Sequence, residues 1–471
     1  MRYSLRSILA LLPVITYVNC VSISEWRSRK IYFALTDRFA RPDDSKDACT
    51  DLRSYCGGTW KGMQSKLPYI KELGFDAIWI SPIVENTSGG YHGYWAKDIY
   101  NVNQNHGTPQ DLKDLVTAAH KLDIYVMVDV VVNHMGRGDI STFTPFTNDT
   151  FYHPYCLIKD YSDQDQVEKC RFAGDLPNIK TDDLTVRKIF NDWVSELVKT
   201  YGFDGLRIDT ARHVEKGFYQ DFLEAAGNPY AIGEVFQGDS KYVARYQDVI
   251  PGVFNYPLYY SLIRCYVQST SFHDLVTTHD AISRDFKDPR LLGTFIDNHD
   301  VPRFMSQTSD IVRLKNALAY AMLARGIPII YYGTEYGYIG NADPENREDL
   351  WRLGYDTSGD IWKFIKTLNT VKVQSGGLGA DDHVHLMVDA GVYIFGREGG
   401  KIVVLTRNLG NTGNEKKDYC FMVQGMEKRQ YRSALTSRIY ASGEDGRICV
   451  SMESGMPDIL VALSPFISML R

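Results

Sequence analysis

Residues 205–213 read GLRIDTARH, and the order of residue types in that stretch decides the fold. A short apolar run, Leu206 and Ile208, carries Arg207 inside it and stops on a carboxylate, Asp209. The same shape recurs along the chain. DVVVNH occupies 129–134, Glu234 ends the apolar run of IGEVFQGD at 232–239, and FIDNHD at 295–300 closes on Asn298, His299 and Asp300. Working outward, apolar runs rich in β-branched residues lie at 31–39, 77–83, 124–132, 205–209, 231–235, 253–256, 292–296 and 328–332, with helical stretches between them. That alternation is the pattern of a parallel sheet with crossover helices. Eight such units before about residue 375 predict a closed (β/α)₈ TIM barrel rather than an open doubly wound sheet. No Gly-x-Gly-x-x-Gly turn follows the first run, which also counts against a dinucleotide fold.

The alternation breaks in two places. An irregular stretch rich in Asp, Thr, Pro and Tyr at 135–183 reads as a loop domain inserted after the third strand, holding Cys156 and Cys170. After about residue 377 the helical pattern stops. Short runs at 391–395, 402–405 and 459–470 between Gly, Asn and Asp turns predict a C-terminal antiparallel β-sandwich. The expected organisation is therefore a signal segment at 1–20, barrel at 21–134, insertion at 135–183, barrel at 184–376 and sandwich at 377–471. Arg2 and Arg6 precede an apolar stretch at 8–18 that is too short to span a bilayer, the signature of a secretory signal. Removing it takes Cys20 from the eight cysteines. The rest form three local pairs, Cys49/Cys56, Cys156/Cys170 and Cys420/Cys449, which suit an oxidising compartment, and Cys265 is left as a buried free thiol. Sequons at Asn86 and Asn148 fall in loop-like stretches and predict N-glycans. The chain is expected outside the cell or in the wall, or held within the secretory pathway.

The 471 residues carry a net charge of −6 with acidic and basic residues intermixed and no basic run, so nucleic acid is excluded as a partner. An uncharged polymer suits that balance better, and a monomer is the expected state. In a barrel the C-terminal strand ends converge on one face, where active sites are built. Carboxylates collected there without a role would cost burial energy. Paired carboxylates without a serine or cysteine elbow suit glycoside hydrolysis, where one protonates the leaving oxygen and the other attacks or stabilises the sugar. Glu234, set between Ile232 and Val235, suits the acid, and Asp209, beside Arg207, suits the nucleophile.

DVVVNH, GLRIDTARH, IGEVFQGD and FIDNHD resemble, in order, the four motif regions of the α-amylase family of glycoside hydrolases. The resemblance extends to IYFALTDRFA from residue 31, GGTWKGM from 57, YHGYWAKDIY from 91, and GIPIIYYGTE with DPENRE around 326–348. It is nearest to the secreted fungal enzymes. It implies retaining endo-hydrolysis of α-1,4-glucosidic bonds in starch- or glycogen-like α-glucans. Asp209 is the implied nucleophile, Glu234 the acid/base, and Asp300 the group that orients the distorted sugar. It further implies that Arg207 holds Asp209 ionised and that His134 and His299 hydrogen-bond the sugar. Tyr94 would stack on it, with Trp95, Arg212, His213, Gly238, Asp343 and Arg347 lining neighbouring subsites. A calcium ion is implied at Asn133, Glu168, Asn178 and the His213 carbonyl. The chain departs from the family there, because LPNIKTDD puts Asn178 and Lys180 where an aspartate-bearing segment is usual. That loss of negative charge predicts a weakened site. Arg212 where lysine is common, and the short stretch at 84–90, are further departures. The same trio would also serve an α-glucanotransferase acting on cell-wall or storage α-glucan, and a catalytically silent glycan-binding homologue is the alternative outside enzymes.

Overall fold

The computed structural model describes residues 21–413 and 415–463. The signal segment, Cys20 and the last residues of the predicted 459–470 strand lie outside the described residues. Eight parallel strands form the barrel. In chain order they are Ile31–Ala34, Ala77–Ile80, Tyr125–Val130, Gly205–Ile208, Tyr230–Gly233, Gly252–Val253, Gly293–Thr294 and Ile327–Tyr331. The strands pair in parallel in chain order, and the first pairs with the eighth. A parallel bridge between Phe254 and Gly293 closes the ring between the sixth and seventh strands. Gly293 is needed there: a Cβ would come within 2.6 Å of the Ile232 side chain and 2.7 Å of Ile329.

The strands are shorter than the apolar runs that announced them. The first stops at Ala34, and Thr36–Phe39 turns into a short helix whose Asp37 is buried and accepts from the Cys56 and Gly57 amides. The stretch at 84–90 is not simply a loop. Val84–Asn86 pairs antiparallel with Ala96–Val102 in a hairpin over the barrel mouth. Asn86 sits in this hairpin and corrects a sequence expectation. It is buried, its amide donates to the Val84 and Gly93 carbonyls, and its side-chain oxygen accepts from the Trp95 amide. A glycan has no access to that nitrogen in the folded chain, whereas Asn148 is exposed at the start of a 3₁₀ turn.

Isolated backbone bridges tie the insertion to the loop after the third barrel strand, His134 to Asn178, and to the mouth hairpin, Asp98 to Thr144. Within it, Tyr152 bridges to Ile179 and Leu157 to Arg171. The last barrel helix, Asp360–Gln374, leads into a six-stranded sheet. The antiparallel pair Lys417–Met422 and Arg447–Met452, separated in the chain by two strands of that sheet, completes a sandwich with it. Alternation along a strand explains how the sheet serves two cores. Tyr393, Phe395, Ile402 and Val404 pack into the barrel core, while Val392, Ile394, Val403 and Leu405 pack with Tyr419, Phe421 and Val450. Arg397, fully buried at this junction, donates to Asp382 and to the carbonyls of Leu323, Leu378 and Ala380. No helix among the described residues is long and apolar enough to cross a membrane.

All three expected disulfides form, Cys49–Cys56, Cys156–Cys170 and Cys420–Cys449, and Cys265 is a buried free thiol. The third bridge spans the longest stretch of chain. Cys449 lies 29 residues beyond Cys420, against 7 and 14 for the other two pairs, and meets it directly across two paired antiparallel strands rather than within one loop. Strand alternation decides where that bond sits. Tyr419 and Phe421 turn inward from one strand and Ile448 and Val450 from the other, so Cys420 and Cys449 between them face outward and are exposed. The Cys420–Cys449 bridge therefore fastens the outer face of the sandwich and packs in neither core.

Candidate active site

The fourth and fifth strands deliver the first two carboxyls. Their hydrogen-bond ladder runs one residue past each strand: the Asp209 amide donates to Val130 and the Glu234 amide to Ile208, each at 2.9 Å. Arg207 and Asp209, two apart, share a face of the extended chain, so both point into the barrel mouth. Thr210 then leaves the strand at φ 47°, a backbone state few non-glycine residues adopt. Its amide donates to Glu234 Oε2 at 3.1 Å.

Arg207 is the hub. Nη1 lies 2.6 Å from Asp209 Oδ1 and 3.0 Å from Asp129 Oδ1, and Nη2 lies 3.1 Å from Glu234 Oε1. All four residues are buried. Burial raises Glu234 above the ordinary glutamate range and outweighs the lowering by Arg207, with Asp209 adding to the rise. Burial likewise pushes Asp129 up to about 7, against the pull of Arg207. Asp129 also accepts from the Tyr94 hydroxyl at 2.8 Å and the Trp79 indole at 3.1 Å. The sequence placed Asp129 at a strand end without giving it a role.

Asp300 follows the seventh strand on a turn made by Asn298, whose side-chain oxygen accepts from the Asp300 and Val301 amides. His299 Nε2 lies 3.1 Å from Asp300 Oδ2, and Arg347 Nη2 lies 3.5 Å from Oδ1. Arg347 also donates from Nε and Nη2 to the His299 carbonyl at 3.2 Å, and its Nη1 meets Asp343 at 3.1 Å. Partial desolvation in the mouth, then the nearby Glu234 carboxyl, push Asp300 above the usual aspartate range, although its side chain stays 33% exposed. Burial also keeps His134 neutral down to about 4 and lowers His299 well below the ordinary range.

These groups line a cavity of about 500 Å³. Asp209, Glu234, Asp300, Tyr94, Trp95, His134, Arg212, His213, His299, Asp343 and Arg347 all reach it. Arg207 lies beneath them, and Gly238 is not among the lining residues. A Cβ on Gly238 would instead meet Tyr260 at 3.1 Å. None of the six bridged cysteines lines the cavity either, so Cys420 and Cys449, like the other two pairs, serve the scaffold and not the site. The Tyr94 ring, expected to stack on sugar, lies nearly parallel to His299 at 5.2 Å and within 23° of parallel to His92 at 5.6 Å. The insertion adds residues that sequence reasoning missed, Arg137 at its start and Tyr161, Phe172 and Leu176 further on. Their irregular spacing carries no periodic signal; only the bulk of apolar residues within a polar insertion hinted at them.

The residues expected to hold calcium meet where the insertion docks. Asn133 Nδ2 donates to the His213 carbonyl at 2.8 Å, and Asn178 Nδ2 reaches the Glu168 and Cys170 carbonyls at 3.3 and 3.4 Å. Asn178 Oδ1 is buried with no hydrogen-bond partner among the described residues. An orphaned buried oxygen of this kind invites a ligand. Glu168 is the one carboxylate of the set, and burial raises it. Among the described residues no group of three or more His, Cys, Asp or Glu gathers to hold a metal. Neutral oxygens with a single carboxylate fit a hard cation such as calcium at a low ligand charge.

Among the described residues no serine or cysteine lines the cavity, so what this barrel mouth offers is carboxyl chemistry: a barrel enzyme working through buried acids under one guanidinium. Comparison with known proteins gives the family. Residues 33–367 match the α-amylase catalytic domain, and the chain belongs to that family. It is 40% identical to an α-amylase of Saccharomycopsis fibuligera, over 98% of both chains. It is 43% identical to α-amylase 2 of Schwanniomyces occidentalis, over 93% of this chain and 91% of that one. The solved structure of an α-amylase from Malbranchea cinnamomea superposes with a TM-score of 0.90 at 39% identity, covering 94% of this chain and 98% of the other.

Proposed function

We propose that the protein hydrolyses internal α-1,4-glucosidic bonds of starch- or glycogen-like glucans with retention at the anomeric carbon. The observation that carries this reading is the Arg207 fork, which touches Asp209 and Glu234 at once in a cavity that, among the described residues, neither serine nor cysteine lines. Glu234, raised above the ordinary glutamate range by burial, is suited to give its proton to the glycosidic oxygen as the bond to the anomeric carbon breaks. Asp209, its charge balanced by Arg207, forms the bond to that carbon. The shortened chain leaves with the proton. Glu234, now a carboxylate, takes a proton from water as the water oxygen displaces Asp209, which restores both groups. Asp300, with His299 and Arg347 behind it, is suited to hold the sugar hydroxyls during the distortion. His134, neutral at working pH, is suited to hydrogen-bond the same sugar.

Calcium would be held by Asn133, Glu168, Asn178 and the His213 carbonyl, and when bound it would clamp the insertion onto the barrel without touching the reacting bond. The disulfides and the secreted fungal enzymes that the sequence resembles support a place outside the cell or in the secretory pathway. The test is reducing-end release from soluble starch by wild type and by Glu234→Gln. Activity lost in the variant supports the reading, and no release by folded wild-type protein overturns it. Products longer than a single donor maltooligosaccharide would mark transfer instead.

A further inference from the structure

One wall of the cavity is fastened to another by a contact that the catalytic reading does not use. Arg137 lies with its guanidinium carbon 4.0 Å above the centre of the Trp95 ring. Its Nε is 2.6 Å from Asp175 Oδ2. Trp95 belongs to the region of the hairpin over the mouth, while Asp175 stands between Ala173 and Leu176 of the insertion; Trp95, Arg137, Ala173 and Leu176 all line the cavity. His92 packs perpendicular to the same indole at 4.7 Å. The aromatic surface that the resemblance assigns to a subsite therefore already carries a cation.

The backbone presents Arg137 in this position. Its predecessor Gly136 donates its amide to the Ala96 carbonyl at 2.7 Å, and a Cβ there would come within 2.5 Å of the Trp95 carbonyl oxygen. No larger residue brings the loop so close to Trp95. Its successor Gly138 has φ 130°, with nothing within 4 Å of where its Cβ would stand. The loop is pinned before Arg137 and turns away freely after it. Both partners of the ion pair are about half exposed, at 53% and 52%, so the contact is one that solvent and substrate reach. Exposed pairs of this kind are weak and open readily.

We propose that Arg137 and Asp175 form a clasp that occupies the face of Trp95 and shortens the glucan groove on that side, making Arg137 a specificity-determining residue. The inference rests on the α-glucan reading above. Chains that leave the Trp95 subsite empty bind without meeting the clasp; those that fill it must displace the clasp to stack. The test is cleavage of end-labelled maltoheptaose and of a maltotriose-length chromogenic substrate by wild type, Arg137→Ala, Asp175→Ala and Arg137→Ala/Trp95→Ala, each checked by thermal unfolding. Arg137→Ala should lower KM for maltoheptaose by roughly threefold or more, shift the ratio of its first products, and leave the short substrate unchanged. Asp175→Ala should move both in the same direction by less, and the double variant should lose the gain. An unchanged KM and product ratio in Arg137→Ala overturns the clasp. So does a raised KM, which would mean that Arg137 itself binds sugar. Failure of wild type to cleave either substrate would instead overturn the underlying glucan reading.

Discussion

Replacing Arg207 by methionine removes a guanidinium that touches three buried carboxyls, at 2.6 Å for Asp209, 3.0 Å for Asp129 and 3.1 Å for Glu234. Breaking a buried ion pair by deleting one partner costs about 3–5 kcal/mol, because the remaining charge stays desolvated. The carboxyls relieve part of that cost by taking protons. Asp129 already titrates near 7 with the arginine present, and Glu234 is raised as well. In Arg207→Met both move higher still. A carboxyl with a folded pKa above its unfolded value loses stability as pH rises from the unfolded to the folded value. The deficit of the variant is thus smallest near pH 4 and largest above 7. Urea unfolding of the two proteins at pH 4.5 and 7.5 measures this directly. Turnover should fall by more than about a hundredfold, since about 3 kcal/mol of lost charge stabilisation exceeds two decades of rate. Arg207→Lys, with a point charge in place of a fork, should fall between the two. A methionine variant as stable as wild type, with a deficit that does not vary with pH, would refute the claim that this guanidinium sustains the carboxyl cluster.

Lys372 offers a stability test away from the site. It is fully buried, its Nζ has no hydrogen-bond partner among the described residues, and burial brings its pKa down to about 7. The unfolded chain binds the extra proton between about pH 7 and 10, so this group makes stability rise with pH by up to about 1.4 kcal/mol per unit across that window. Lys372→Met should raise stability at pH 7 by roughly 2–4 kcal/mol and flatten the rise, read by denaturation at pH 7 and 9. Asn178→Asp adds a carboxylate beside Glu168 and should tighten calcium at least tenfold, read as a larger drop in Tm on adding chelator. Expressed through a eukaryotic secretory pathway, the protein should carry glycan at Asn148 and none at Asn86, as peptide mass analysis before and after deglycosylation would report.

The barrel was legible because parallel strands buried on both faces read as continuous apolar runs, and Arg207, Asp209, Glu234 and Asp300 stood at the ends of such runs. The strand ends were less legible. Asp209 and Glu234 still donate backbone hydrogen bonds in barrel register although the strands stop just before them, so the apolar runs overstate the strands by a residue or more. The hairpin at 84–102 was hidden by its own Thr, Ser and Gly turn residues. Asn86 shows the limit of a short motif: a sequon states a chemistry but not whether the nitrogen is exposed, and here the hairpin consumes it. The pairing of Cys420 with Cys449 was readable by position along the chain, but its cross-strand, outward-facing setting followed only once the two strands were in register. Arg137 and Phe172 reach the cavity from irregular loops, where position depends on tertiary docking rather than on spacing. Asp129 was visible as a charge at a strand end, yet its part in the arginine cluster depends on side-chain geometry across two strands.

The central claim is that Asp209 bonds to the sugar while Glu234 moves the proton. Glu234→Gln incubated with α-maltosyl fluoride tests it, because fluoride leaves without an acid while the water step still needs the base. The account predicts a maltosyl adduct that accumulates on the intact protein and maps by peptide mass spectrometry to Asp209. An adduct on Asp300 or Asp129, or fluoride release without any adduct and with inverted product, would contradict it.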